Sequence, residues 1–253
     1  MEKIRPLARA FYLGTVRYKK ALKLQHNLVN WNKVQPEVAS PTLLLLQHNP
    51  VYTIGYRDEQ YTDEEQKLLE SLGADFVKTD RGGLITFHGP GQLVVYPVFS
   101  QLQIEIGVRK YVWLLEEVII NLCKKYNIEG IRSPHTGVWV GNDKICAMGI
   151  NAQKKTFSHG LALNCNTDML WFSRIVPCGI LDKGVTSLSL QTGRDVTVEE
   201  VMPQFLTEMS SVFGWDILPL QHCELDNNNI DDETLFQLIT NNEKNETYMG
   251  VKS

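Results

Sequence analysis

Val112, Leu115, Ile119 and Leu122 recur at i, i+3, i+4 spacing through residues 108–126, so one long helix with a single apolar stripe stands mid-chain. On either side of it the period changes. Residues 42–48 form an apolar run of strand length, and residues 51–55 form another beyond the turn pair Asn49-Pro50. Residues 93–99 are apolar and β-rich. Residues 137–140 and 144–150 flank Gly141-Asn142-Asp143, which is hairpin-turn chemistry, and residues 159–163 make a further strand. Such a helix buries its stripe against a sheet that these strands build together. The expected class is α+β, a mixed β-sheet with flanking helices.

The remaining elements fit that frame. Residues 8–13 read as a strand leading into a helix over about 15–32, with Tyr18, Leu22 and Val29 near one face. Thr62 followed by Glu65 makes a capping box for a helix over 62–72 that Gly73 stops. Short strands are expected at 76–77 and 84–87, and a helical turn at 168–174. Thr197 with Glu200 caps a last helix that ends at Gly214. Residues 1–222 read as one folded body, and the polar, Asn-rich and acidic residues 223–253 as a disordered tail.

Composition excludes several classes. No apolar run approaches the ~18 residues that span a bilayer. Net charge is −4, so no basic field points to nucleic acid. The five cysteines are odd in number and none has CxxC spacing, and the six histidines form no HxxxH or HExxH pattern. A reducing compartment, no disulfide framework and no metal site are expected. Lys3, Arg5, Arg9, Arg17, Lys19, Lys20 and Lys23 stand against Glu2 alone at the N-terminus. That is the composition of a mitochondrial presequence, although a folded strand and helix are the preferred reading. It is also a basic edge that an acidic protein partner could meet.

Four segments could carry chemistry. Residues 81–92 (RGGLITFHGPGQ) hold four glycines, which let backbone approach a ligand closely. Arg81 offers a fork of donors and His88 titrates near neutrality. The segment is neither GxxxxGK[ST] nor GxGxxG, so no nucleotide is indicated. Equally, it could be a tight loop between strands with His88 as a satisfied polar residue. Cys178 stands in Val176-Pro177-Cys178-Gly179, a sharp turn that could expose a thiol beside a free backbone N–H. An isolated cysteine is more often a small buried hydrophobe. Lys144 opens a strand after a turn, where a solvated lysine is the ordinary finding. His159 heads a strand beside Gly160 and could line a pocket or bond backbone.

Taken together, these segments resemble the lipoyl(octanoyl) transferase family, the LipB-type octanoyltransferases. The matching pieces are His48-Asn49-Pro50-Val51-Tyr52-Thr53-Ile54-Gly55, the loop 81–92, and residues 137–149, 158–168 and 177–179, in the family's order across roughly residues 8–215. The loop RGG-x-x-T-x-HGPGQ is the specific element. Trp171-Phe172 and Gly184-Val185-Thr186-Ser187-Leu188 look nearest to animal mitochondrial members. The resemblance implies a biotin/lipoate protein ligase-like catalytic domain over residues 1–222 and a mitochondrial matrix location. It implies octanoyl-acyl carrier protein as donor. Lipoyl domains of 2-oxoacid dehydrogenase complexes and the glycine-cleavage H protein would be acceptors. A monomer is expected, with no cofactor and no membrane or nucleic-acid partner.

The family's roles fall on matching residues. Cys178 becomes the nucleophile and Lys144 its partner. Arg81, Gly82, Gly83, Leu84, Ile85, Thr86, Phe87 and His88 would line the acyl site, with Ala147, Met148 and Gly149 and then His159, Gly160, Leu161 and Ala162 on its other walls. A thiol suits thioester exchange, and the downhill step from thioester to amide needs no ATP. Three rivals are distinguishable by experiment. An ATP-dependent lipoate-protein ligase would require ATP, a cysteine hydrolase would release free octanoate, and a non-catalytic binder of lipoyl domains would tolerate loss of Cys178.

Overall fold

The computed structural model describes residues 5–36, 38–56, 61–101, 104, 106–153, 155–175, 183–223 and 232–240. The first half runs β1 (Leu7–Val16), α1 (Tyr18–Val34), β2 (Thr42–His48), β3 (Val51–Ile54), α2 (Asp63–Ser71), β4 (Asp75–Lys78), β5 (Thr86–His88), β6 (Gln92–Ser100) and α3 (Val108–Lys125). The second half runs β7 (Ile131–Arg132), β8 (Val138–Val140), β9 (Asp143–Gln153), β10 (Thr156–Asn164), a 3-10 turn (Met169–Arg174), β11 (Gly184–Val185), α4 (Leu188–Thr192), α5 (Val198–Phe213), β12 (Asp216–Ile217), β13 (Gln221–His222) and α6 (Asp232–Thr240).

The main sheet has the order β12-β1-β2-β6-β10-β9-β8-β7, with β13 beside β1 and β11 beside β9. β1 and β2 are parallel, whereas β2, β6, β10 and β9 pair antiparallel in turn. The sheet is therefore mixed. A smaller sheet, β4-β3-β5, folds beside it. The chain's fold is thus the α+β arrangement that its patterning predicts.

The four leucines Leu43–Leu46 show why β2 is central. All are fully buried. Leu43 and Leu45 face α3 and α5, while Leu44 and Leu46 face α1. A strand covered on both faces needs an unbroken apolar run rather than alternation. Each such leucine contributes about 2 kcal/mol of transfer free energy.

α3 begins at Val108 and packs Tyr111, Leu115, Ile119 and Leu122 on the sheet, so Tyr111 takes the stripe position that spacing assigns to Val112, which is only half-buried. The Thr62–Glu65 capping box is formed in both directions. At α5, Thr197 accepts from the Glu200 N–H, but the Glu200 carboxylate turns to Arg194 at 2.6 and 2.9 Å instead of completing the box.

Two expectations need correction. The first helix starts at Tyr18 rather than near Thr15, because β1 continues to Val16 through a register shift between Tyr12 and Thr15. The reading of 223–253 as a disordered tail does not hold for Cys223 or for residues 232–240. Cys223 is buried and its N–H donates to the Tyr12 carbonyl at 2.8 Å. Leu235 and Ile239 of α6 pack on Leu24 and Leu28 of α1, Phe236 meets Trp31 edge-on, and the Arg9 guanidinium donates to the Ile239 carbonyl. Averaged over the whole of 223–253, the acidic composition hides an amphipathic pair at i, i+4. Residues 224–231 and 241–253 lie outside the described residues.

Candidate active site

The pattern of small residues on β9 and β10 makes the site. Gly149 pairs with Gly160 and Ala147 with Ala162. Residues two apart share a face, so these four small side chains floor one strip of sheet. Strands built this way leave a trough where larger residues would fill it. Its walls come from Tyr18 at the head of α1, Val94 and Tyr96 of β6, Thr86 and His88 of β5, and Gly83 and Leu84 of the loop before β5. The trough is partly open to solvent, is lined mainly by apolar surface and has a cavity volume of about 40 Å³.

The loop is held down by its own backbone contacts. The Gly82 N–H donates to the Ile150 carbonyl at 3.2 Å. The Gly82 carbonyl lies so near β9 that a Cβ on Gly149 would come within 2.9 Å of it. Arg81 does not extend a free fork to a ligand. Its guanidinium donates to the carbonyls of Gly82, Leu84 and Thr53 and to the Thr53 hydroxyl, at 2.7–3.1 Å. It braces the loop against β3 while its flank lines the pocket.

Twelve of the expected residues line the pocket, and three do not. Arg81, Gly83, Leu84, Thr86, His88, Ala147, Met148, Gly149, His159, Gly160, Leu161 and Ala162 surround it. Gly82 is turned to the backbone of β9 instead. Ile85, just before β5, and Phe87 on it point the other way, into a core with Tyr52, Ile54 and Phe76, where Phe87 stacks on Trp171 at 4.9 Å. Strand alternation separates Thr86 and His88 from Ile85 and Phe87.

Two buried hydrogen-bond chains set protonation around the trough. The Thr186 carbonyl can only accept, so the Asn164 amide nitrogen donates to it at 2.9 Å and Asn164 Oδ1 receives the Gln92 amide at 2.9 Å. Gln92 Oε1 then accepts from His88 Nδ1 at 2.8 Å, which leaves His88 Nε2 unprotonated. In the second chain, the Val16 carbonyl fixes the proton on His48 Nδ1 at 2.7 Å, so His48 Nε2 accepts from the Tyr96 hydroxyl at 2.7 Å. Burial is the main cause that holds both imidazoles neutral: His48 falls to about 4 and His88 well below the usual histidine range. Burial likewise pushes Tyr18 up to about 12.

Lys144 sits at the other end. Its side chain is buried and its ammonium lies 4.8 Å from the Trp139 ring centre. It borders a smaller cavity of about 10 Å³ with Gln92, Asn164, Phe172 and Val185, and that space shares Thr86, Ala147 and Ala162 with the main pocket. The small space is thus the trough's continuation toward Lys144. β11 runs beside it: Val185 pairs with Lys144, and the Thr186 N–H donates to the Lys144 carbonyl at 3.0 Å. Lys183, one residue before β11, also reaches the Trp139 ring at 4.8 Å.

Cys178 lies outside the described residues, in the segment between Ile175 and Lys183. The four described cysteines, Cys123, Cys146, Cys165 and Cys223, are free and buried. Burial pushes the Cys123 and Cys165 thiols up to about 12 and raises those of Cys146 and Cys223. None of these four has the thiolate character that a nucleophile needs.

Asp80, Tyr18, Tyr96 and Lys183 belong to the neighbourhood without having stood out as site residues in the sequence, while Gln92 and Asn164 stand inside segments the sequence singles out but carry no role there. Asn164 closes the strand that carries the Gly160-Leu161-Ala162 wall, at the same alternation, so period two could have found it. Asp80, immediately before Arg81, offers no pattern of its own.

Residues 17–210 match the family model described as the lipoyl protein ligase A/B catalytic domain. Mitochondrial octanoyl-acyl-carrier-protein:protein N-octanoyltransferase of Danio rerio is 50% identical over 206 residues, covering 81% of this chain and 92% of the relative. The Xenopus tropicalis enzyme of the same name is 51% identical over 203 residues, covering 79% and 85%. Among solved structures, lipoate-protein ligase A bound with ATP superposes with a TM-score of 0.71 at 16% identity, covering 95% of this chain and 96% of that one. This last likeness is one of fold.

Proposed function

The chain belongs to the lipoyl protein ligase A/B catalytic-domain family, and we propose that Cys178 and Lys144 carry its octanoyl transfer through a thioester on Cys178. The activity is that of an octanoyltransferase in protein lipoylation. The donor is octanoyl-acyl carrier protein and the acceptors are proteins that carry lipoyl groups. We extend the acceptors to the lipoyl domains of 2-oxoacid dehydrogenase complexes and the glycine-cleavage H protein. The relatives named above are mitochondrial, and we place this chain in the matrix.

One observation supports this reading above others: an apolar trough ends at a buried lysine that pairs with β11, whose first residue, Gly184, follows Cys178 by six positions in the sequence. Lys144 and Lys183 make that end electropositive, which favours thiolate over thiol. In the first half-reaction the Cys178 thiolate adds to the donor carbonyl. The carrier's C–S bond breaks, and the carrier thiolate leaves and takes up a proton. The acyl group now neutralises the enzyme's sulfur. Lys144 supplies that proton to the carrier and so enters the second half-reaction as an amine able to accept one. In the second half-reaction the acceptor's lysine amine adds to the thioester carbonyl, its proton passes to Lys144, and the Cys178 thiolate departs. Neutral His88 and Tyr18 line the trough without adding charge to the path of the chain.

The test is intact mass after incubation with octanoyl-acyl carrier protein, without ATP or acceptor. A gain of one octanoyl group is expected, absent in Cys178→Ala and discharged by a lipoyl domain. Modification of a lipoyl domain only when ATP and free octanoate are supplied would instead make this a ligase. The fold admits that rival, since it is shared with an ATP-bound ligase, but the relatives at about half identity are octanoyltransferases.

A further inference from the structure

The trough has two ends, and the second is built with unusual care. His159 takes a left-handed backbone, φ +56°, which a residue with a Cβ seldom adopts. The ladder between β10 and β6 lapses between the pairs Phe157–Phe99 and Leu161–Val95, the stretch that contains Pro97, which has no N–H to donate. The His159 N–H is taken instead by Gln25 of α1, at 2.8 Å. Next to it, a Cβ on Gly160 would lie 2.2 Å from the Val95 carbonyl, so the strands close tightly around the turn-out.

The ring is pinned as firmly as the backbone. Asp80 can only accept, so His159 Nε2 donates to its Oδ1 at 2.9 Å. Asn151 holds the other oxygen of Asp80 at 2.8 Å, and His26 stands 3.6 Å from it. The His159 side chain is 2% exposed and lines the trough. Asp80 lines a separate surface groove with His26, Lys33, Asn151 and Ser158. The imidazole is therefore the partition between the trough and open solvent. A strained conformation persists where its surroundings over-determine it, and such places cluster at functional sites.

Length gives the partition a purpose. From Ala162, where the Lys144 space joins, to His159 is three residues of strand, about 10 Å. An eight-carbon acyl chain has seven C–C bonds of about 1.5 Å and spans about 9 Å when extended. We propose that His159, positioned by Asp80, is the end stop of the trough and limits the transferred chain to about eight carbons. This rests on the octanoyl-transfer reading of the same site. A longer chain meets the pinned ring, and only its removal joins the trough to the groove beyond.

The test is a donor series carrying C8, C10, C12 and C14 acyl groups on carrier protein, with transfer to a lipoyl domain measured for the full chain and two variants. Glycine tolerates the positive φ, and asparagine does so better than most residues, so His159→Gly and His159→Asn change the partition while respecting the backbone. In His159→Gly the ratio of kcat/KM for C12 to that for C8 is expected to rise about tenfold or more over wild type, since each methylene accepted or refused by an apolar pocket is worth roughly that factor. His159→Asn should show a smaller rise, confined to C10, and remains the readout if the glycine variant does not fold. A general loss of activity from damaged packing lowers all donors together and leaves the ratio unmoved. An unchanged profile in the folded variants, with octanoyl still transferred by wild type, overturns the end stop alone. No transfer of any chain by wild type overturns the octanoyl reading and the end stop with it.

Discussion

The two faces of the main sheet are made by the same strands and hold opposite chemistry. Toward α3 and α5, Leu45, Val95, Leu161 and Leu163 join Leu115, Ile119 and Phe205 in a cluster of apolar side chains. Toward α1, β2 turns in His48, β6 turns in Tyr96, and β10 turns in Gly160, Ala162 and Asn164. Alternation along the strands separates most of them, but a register shift between β8 and β9 puts the adjacent Ile145 and Cys146 on the filled side together, and Met148 and Leu161 border both. One face is filled, and stability comes from it. The other is partly emptied by small residues and lined with neutral polar groups, and binding and chemistry come from it. A substitution should therefore change one property or the other according to the face its side chain takes.

The strongest challenge to that division is Lys144→Arg. Arginine keeps the charge beside Trp139 but does not give up a proton at neutral pH, so it cannot act as the base. Transfer is expected to fall by about 10³-fold, within the usual range for loss of a positioned general base. Thermal stability should stay near wild type. Full activity in Lys144→Arg would remove the base role, whatever the fate of Cys178. The neighbouring residues on β9, Ile145 and Cys146, face the filled side, and the comparison becomes sharper if Cys146→Ala leaves transfer intact.

Leu115→Ala probes the opposite face. Leu115 is fully buried in α3, and removing three carbons there costs about 3 kcal/mol once the cavity is included. The denaturant midpoint should drop with an unchanged slope, while kcat/KM per folded molecule is retained. A matching fall in kcat/KM would mean that the two faces are mechanically coupled and that the division is too simple.

How much of this was legible beforehand follows the same line. The filled face was largely readable, because periodic apolar residues announce it: the α3 stripe apart from Val112, the strand-length run of leucines in β2 and the caps of α2 and α5 all stand where the pattern predicts them. The emptied face was readable only as motifs. The small residues 147, 149, 160 and 162 occur in two segments, and only strand pairing shows that they floor one trough. The brace made by Arg81, the chain from His88 through Gln92 and Asn164 to Thr186, and the clasp of Asp80 on His159 join residues up to 79 positions apart, and no local pattern encodes such partners. α6 was missed for a different reason. Nine amphipathic residues do not register in a composition taken over the acidic terminus.

The smallest predicted effect tests whether the polar face carries a pH signature that the apolar face lacks. His48 is buried with Nδ1–H donated to the Val16 carbonyl and Nε2 occupied by the Tyr96 hydroxyl. Protonating it would bury a charge and turn an acceptor against that hydroxyl's proton. Burial accordingly lowers it from 6.5 to about 4. Between those two values the unfolded chain binds more protons than the native one, so stability falls as pH falls through that window. Below about 4 both states are protonated and this contribution to the slope ends. Over the whole window the loss is about 3 kcal/mol at most, and His88 and His159, also lowered chiefly by burial, add in the same direction. Asp80, held down to about 2 chiefly by its hydrogen bond from His159, contributes only at lower pH. His48→Gln offers a side-chain amide in the same place and does not titrate. Its unfolding free energy should decline less steeply than wild type from pH 6.5 to 4, by close to one proton, whereas Leu115→Ala should shift the curve down without changing its slope. Equal slopes in wild type and His48→Gln would show that His48 is protonated in the native state, and the neutral polar chain behind the trough would have to be redrawn.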